Sequence, residues 1–189
     1  NEYSLKELIV GIDEVGRGSI AGPVVAASVI LGSSRISLLK DSKKLSKYHR
    51  EIISAEIKDK CIEFSIGIVS SKIIDKINIR EASLLAMKKS LEKLKSKNLK
   101  VIVDGKDKIE TEYPCEAIIK ADGFINEVMA ASIVAKVYRD ELMDDLHKKY
   151  PNYFFNLHKG YPTKKHLDAL KSFGIMKEHR KTFSPVKNI

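Results

Sequence analysis

Four carboxylates carry the chemistry legible in this chain. Asp13 and Glu14 interrupt the apolar run Ile9-Val-Gly-Ile12, and Gly16-Arg17-Gly18 follows at once. Asp104 closes the β-branched run Val101-Ile-Val103, and Asp122 comes just after the apolar stretch Glu116-Ala-Ile-Ile-Lys120. Each of the three sites ends a predicted strand, and the ends of neighbouring strands lie together in a sheet. Taken singly, each has a plainer use: a surface turn at Asp13-Glu14, an Asp-Gly turn at Asp104, a helix cap at Asp122. Together they form a like-charged cluster whose members would repel unless divalent cations sat among them. Oxygen ligands without His or Cys favour Mg²⁺ or Mn²⁺ over zinc. Two such ions about 3.5–4 Å apart form the clamp used for in-line displacement at phosphorus. The glycines flanking Arg17 would let the backbone approach a ligand closely.

The composition supports that chemistry. Lys and Arg number 34 against 25 Asp and Glu, a formal charge of +9 over 189 residues. A basic surface around an acidic pocket suits a polyanionic substrate, nucleic acid first and a membrane surface second. Apolar residues at 43% and charged residues at 31% fit a globular chain without a disorder signature. No apolar run approaches the ~18 residues of a membrane helix, and the first residues, Asn1-Glu-Tyr-Ser-Leu-Lys6, lack a signal-peptide core. Cys61 and Cys115, far apart and without metal-ligand spacing, read as small buried hydrophobes of a cytoplasmic protein.

The elements that must position the carboxylates follow from periodicity. Strands are predicted over 8–13, 23–31, 61–69, 101–103 and 116–120. Helices are predicted from the Ser46 cap to about Lys60, with Ile52, Ile53 and Ile57 inward, then over 71–76, and over 79–96 behind Asn78. A long helix over 124–148 turns Ile125, Met129, Ile133 and Val137 inward; beyond 150 come loops, a Thr163-capped helix over 164–172 and a helical turn near 176–181. The order β-β-β-α-α-β-β-α implies a mixed sheet, antiparallel in its first three strands and parallel later. One domain is expected, with about 150–189 as a helical C-terminal part.

The string Gly11-Ile-Asp-Glu-Val-Gly-Arg-Gly-Ser-Ile-Ala-Gly-Pro-Val-Val25 closely resembles the signature of ribonuclease HII, the type 2 ribonuclease H family. The resemblance continues through Asp41-Ser-Lys-Lys-Leu-Ser46, Val103-Asp-Gly105, Lys120-Ala-Asp122 and Ala130-Ala-Ser-Ile-Val-Ala-Lys-Val137. It ends with His158-Lys-Gly-Tyr-Pro-Thr163, His166, His179-Arg180 and Phe183-Ser-Pro-Val186. It implies a ribonuclease H-like α/β fold: a mixed five-stranded sheet flanked by helices, with a small helical C-terminal extension. The implied activity is endonucleolytic cleavage of RNA in RNA/DNA hybrids and 5′ of single ribonucleotides embedded in duplex DNA, leaving 3′-hydroxyl and 5′-phosphate ends. By the same match, Asp13, Glu14, Asp104 and Asp122 would bind the catalytic metals. Gly16, Arg17 and Gly18 would contact the ribonucleotide and its 2′-hydroxyl, and Tyr161 would stack on the sugar at the junction. The chain departs from the commoner pattern at Glu127, Met129 and Pro162.

Around this set, Lys43 and Lys44 read as phosphate contacts, Arg17 as functional, and Lys136 and Arg139 as partners of local acids. His158, His166 and His179 read as structural or phosphate-binding, because a metal-activated water needs no imidazole base. A monomer is the default, and the sequence leaves recruitment by a sliding clamp open. Two other readings stand beside the leading one. A ribonuclease HIII-like nuclease for longer hybrids would put a glutamate where Asp122 stands, and a non-catalytic hybrid-binding module would not need all four carboxylates.

Overall fold

A computed structural model describes residues 6–189; the polar start over 1–5 lies outside the described residues. Five strands, β1 (Leu8–Val15), β2 (Val24–Ile30), β3 (Glu63–Val69), β4 (Leu99–Asp104) and β5 (Cys115–Ile118), form one sheet in the order β3-β2-β1-β4-β5. The pairs β1–β2 and β2–β3 are antiparallel, whereas β1–β4 and β4–β5 are parallel, as the element order implies. β1 therefore sits at the centre, with its C-terminal end beside that of β4. It also runs two residues past its expected end, because Asp13, Glu14 and Val15 keep pairing with Ala27, Ala26 and Val25.

Helices α1 (Lys47–Lys60), α2 (Ser71–Ile77), α3 (Ile79–Glu92), α4 (Asn126–Lys149), α5 (Phe155–His158) and α6 (Lys164–Phe173) surround the sheet. Ser46, Asn78 and Thr163 cap α1, α3 and α6 through their side-chain oxygens. Strand periodicity sorts the core into two layers. Val10, Ile12, Val24, Ala26, Val101 and Val103 pack under Ala82, Ala86 and Leu91 of α3. On the other face Ala27 and Val29 meet Ile53 and Ile57 of α1 and Ala130, Ala131 and Val134 of α4. Among the described residues no helix is long and apolar enough to cross a membrane.

Two strand glycines set how close the helices come. A Cβ on Gly11 would lie 2.2 Å from the backbone carbon of Glu127 in α4, and one on Gly67 would lie 2.0 Å from the Ala86 carbonyl oxygen in α3. At Glu127 it is therefore the backbone that meets the strand, and Met129, the other departure from the family pattern on this helix, fills the core beneath it.

Several expectations are corrected. Ile52 is 49% exposed, because the apolar stripe of α1 is carried by Ile53 and Ile57. α3 stops at Glu92, although Leu94 remains buried beyond it. Cys61 and Cys115 are free but only half-buried. The region near 176–181 makes one hydrogen-bonded turn, His179 N–H to Met176 O at 3.0 Å, but no helix. Its backbone pairs instead with the loop after β1: Gly22 N–H donates to Glu178 O (2.9 Å), Arg180 N–H donates to Ile20 O (2.8 Å), and Ala21 bridges to His179.

Three buried histidines lock this C-terminal part. The rings of His158 and His166 stack at 4.0 Å with 7° between planes, and Nε2 of His166 lies 2.9 Å from Nε2 of His179. Backbone partners assign every ring proton, since an amide can only donate and a carbonyl only accept. Met176 N–H donates to His179 Nδ1, so His179 carries its proton on Nε2 and gives it to His166. His166 then donates from Nδ1 to Tyr161 O, while His158 accepts from Gly160 N–H and donates from Nε2 to Tyr153 O. All three rings are thus neutral. Burial pushes all three below the ordinary imidazole value, His166 and His179 to about 4.

Two predictions follow from this packing. Gly11→Ala is expected to cost stability at the upper end of the ~1–3 kcal/mol typical of overpacking. Gly123→Ala, with nothing within 4 Å of the added carbon, should change it by less than about 0.5 kcal/mol; denaturant unfolding of both variants checks the contrast. The unfolded imidazoles bind protons near 6.5 and folded His166 and His179 near 4, so the stability these two rings contribute is full above pH 6.5 and is lost as pH falls towards 4. Ring ¹⁵N–¹H spectra at pH 6 should show three neutral rings, protonated on Nε2 at His158 and His179 and on Nδ1 at His166.

Candidate active site

Strand register builds the acidic group. Ile12 of β1 faces Val103 of β4, so the next step along both strands brings Asp13 beside Asp104. Both point to the α4 face, which they share with Gly11 and Ile102. Asp122 arrives from a third direction. β5 ends at Ile118, Lys120 turns the chain in the left-handed region (φ 59°), and a short 3₁₀ turn over Ala121–Gly123 leads into α4. Because α4 descends closely on β1 at Gly11, this turn is held over the strand ends. One carboxylate oxygen from each of Asp13, Asp104 and Asp122 lies within 4.8 Å of the others.

By strand alternation Glu14 starts on the opposite face of β1 and outside this close triplet, yet its carboxylate stays within side-chain hydrogen-bonding reach of Asp13. It lines a small cleft with Arg17, Arg80, Ser83, Met87 and Asp104. Its backbone N–H donates to Asp13 Oδ1 at 2.8 Å, and its charge still acts on both Asp13 and Asp104. Burial, followed by the charges of Glu14 and Asp104, holds the Asp13 carboxyl well above the usual carboxylate range. Burial and the neighbouring Asp122 push Asp104 up to about 6. A hard divalent cation fits this set: the donors are all oxygen, they converge, and their mutual repulsion is what such a charge relieves.

The Gly16–Pro23 loop leaves the same end of β1 and is held by two buried arginines that form no salt bridge with a carboxylate among the described residues. Arg180 donates from Nη2 to Gly16 O (2.8 Å), from Nη1 to Arg17 O (3.1 Å) and Ser19 O (2.7 Å), and from Nε to Gly22 O (3.1 Å). Arg139 of α4 donates to Pro23 O, Ala21 O, Ser19 Oγ and, across to the C-terminal part, Lys159 O. Its side chain also fills the space that a Cβ on Gly16 (φ 97°) would need. Arg139 is therefore not the partner of a local acid. Fully buried, it finds enough carbonyl acceptors to satisfy its guanidinium, whereas Lys136 does reach Asp140, at 3.5 Å. Desolvation lowers both arginines, Arg180 to about 9.

Tyr161 closes this side of the site. A Cβ on Gly18 would lie 3.6 Å from its ring, and the Arg139 guanidinium stands 5.7 Å from the ring centroid. Its carbonyl accepts from Thr163 N–H (2.8 Å) and from His166. The first of these bonds spans Pro162, whose fixed φ suits such a tight turn. Lys43 places its ammonium on the Asp122 carboxylate at the rim, and Lys44 is exposed beside it. Arg17 and Gly18 are exposed, while Gly16 is buried. Sequence reasoning missed the clamping role of Arg139 and Arg180. For Arg139 the available signal was its place inside the apolar stretch of a helix predicted to pack on the sheet.

Comparisons with known proteins agree with this geometry. The family model for ribonuclease HII matches residues 10–186. The ribonuclease HII of Hydrogenovibrio crunogenus is 51% identical over 183 residues, covering 97% of this chain and 88% of the relative. Among solved structures, ribonuclease H2 from Pyrococcus horikoshii superposes with a TM-score of 0.81 at 27% identity, covering 96% of each chain. The ribonuclease HII of Archaeoglobus fulgidus, solved in complex with PCNA, gives 0.78 at 30% identity, covering 93% of this chain and 95% of that one. With its sheet order, its convergent acids and these likenesses along nearly its whole length, the chain belongs to the ribonuclease HII family of hydrolases.

Proposed function

We propose that this ribonuclease H cuts the RNA strand of RNA/DNA hybrids and cuts 5′ of single ribonucleotides in duplex DNA, leaving 3′-hydroxyl and 5′-phosphate ends. The observation that carries the reading is the convergence of Asp13, Asp104 and Asp122 within 4.8 Å, directly beside a loop and an aromatic ring suited to a sugar. Asp13, Asp104 and Asp122, together with Glu14 beside Asp13, would hold two Mg²⁺ or Mn²⁺ ions. Bound there, the ions would supply activation of water and neutralisation of the charge that develops at phosphorus.

The remaining steps belong to the chain itself. Asp13 and Asp104, on paired strands, and Asp122, at the foot of α4, need no reorganisation to present converging oxygens. Gly16-Arg17-Gly18 reads the 2′-hydroxyl that separates RNA from DNA. Tyr161 packs against the sugar at the junction. Lys43 and Lys44 meet backbone phosphates at the rim and fix register without reading sequence. Residues 150–189 thereby serve substrate recognition within one domain. A clamp-docked relative suggests that this chain too could be brought to DNA by a sliding clamp.

The deciding assay uses a duplex with one embedded ribonucleotide, with Mg²⁺ or Mn²⁺ and with EDTA. Metal-dependent incision 5′ of the ribonucleotide is expected, and binding without cutting overturns the reading. Asp13→Asn and Asp104→Asn should each lower turnover on the order of 100-fold or more while the fold persists. Near-normal turnover in either variant would remove that residue from the site. The metal-free Asp104→Asn protein should also unfold at a higher temperature than the parent at pH 7. The raised carboxyl of the parent costs stability as pH rises from 3.8 through about 6, so the gap should close as pH falls over that window. Tyr161→Ala should lose more activity on single ribonucleotides than on RNA tracts, measured as kcat/KM on both substrates.

A further inference from the structure

The carbonyls of Gly16 and Arg17 both turn inward onto the Arg180 guanidinium, at 2.8 and 3.1 Å. Among the described residues the only cis peptide is Ser184-Pro185, so the 16–17 and 17–18 peptides are trans. In a trans peptide the N–H points opposite the carbonyl. The N–H groups of Arg17 and Gly18 therefore face outward, on the exposed side of the loop and beside the Tyr161 ring. No ladder or helix imposes this orientation on the loop. A weak turn bond, Ser19 N–H to Gly16 O at 3.4 Å, shares the Gly16 carbonyl, and the rest comes from one fork of donors seated under the loop, stacked 5.0 Å from the Phe183 ring and joined to the main chain at Gly16, Arg17, Ser19 and Gly22.

We infer that Arg180 is a positioning residue for ribonucleotide selection: by holding two carbonyls inward, it presents the Arg17 and Gly18 amides as paired donors to a 2′-hydroxyl and its adjoining phosphate. The inference rests on the reading that Gly16-Arg17-Gly18 meets the ribonucleotide. It goes further by assigning the discrimination to a buried side chain that never touches substrate. A lysine at this position would keep the charge but offers a single ammonium with no fixed fork, so it cannot hold both peptide planes. An unclamped loop would still bind duplex through the basic surface, because that attraction does not depend on the sugar.

The test compares affinity for a duplex with one embedded ribonucleotide against an all-DNA duplex of the same sequence, by fluorescence anisotropy in EDTA. Under these conditions nothing is cut. Wild type is expected to prefer the ribonucleotide duplex; if it does not, the loop does not read the sugar, and both the underlying reading and this inference fall. Arg180→Lys should lose at least fivefold of the preference while its affinity for all-DNA duplex stays within twofold. Mn²⁺ binding followed by calorimetry should be unchanged, which shows an intact carboxylate site. Phe183→Leu, which removes the stacking ring but keeps an apolar side chain, should lose preference in the same direction to a smaller extent, and it decides the matter alone if Arg180→Lys does not fold. Full retention of preference in the folded variants, or an equal loss of affinity for both duplexes, overturns the inference while leaving the cleavage assay free to support the nuclease reading.

Discussion

The approach of the first turn of α4 to the middle of β1 is the contact on which the site depends. At Gly11 the strand has no Cβ, and the backbone of Glu127 and Val128 occupies that space. Any side chain there would push α4 away from the sheet. Asp122 lies in the turn that leads into this helix, so its distance from Asp13 and Asp104 is set by how far α4 can descend. A residue with no functional group thus fixes the geometry of three that have one.

The second constraint is electrostatic. Burial first, and then the neighbouring charges, raise the carboxyls of Asp13 and Asp104 gathered at the strand ends. Under the loop that follows β1 the opposite problem appears: two guanidiniums lie buried with no salt bridge to a carboxylate among the described residues. Neutralising them with acids would have placed further negative charge beside the metal-binding group. Backbone carbonyls satisfy the donors without adding net charge, and in doing so they shape the loop. The acidic pocket and the cation-clamped loop are separated by sign while standing side by side, which suits a substrate that brings its own negative phosphates to the metals and a sugar hydroxyl to the loop.

The C-terminal part follows the same economy. Its three histidines hold one another and the main chain as neutral donors and acceptors. Through Tyr161 O this cluster is continuous with the ring beside Gly18, and through the 176–181 backbone it is continuous with the loop after β1. The segment expected to turn into a short helix lends its amides and carbonyls to that loop instead.

Much of the scaffold and the identity of the acids were legible in the residues themselves. The β-branched runs, the Ser46, Asn78 and Thr163 caps and the order of elements specify the strands, the helices and the mixed sheet, because these are local signals. Asp13, Asp104 and Asp122 stood out because acids seldom end apolar runs without a reason. What only the tertiary structure decided involves partners distant along the chain. Glu14 starts from the other face of β1 by strand alternation and reaches the triplet only through Asp13. Arg139 and Arg180 bind carbonyls up to 164 positions away in the sequence rather than nearby acids. The span 176–181 abandons helix for a bridge to Ala21. Sequence periodicity reports which face a residue turns to, but hydrogen-bond partners of buried polar groups are chosen by what the folded chain brings within reach.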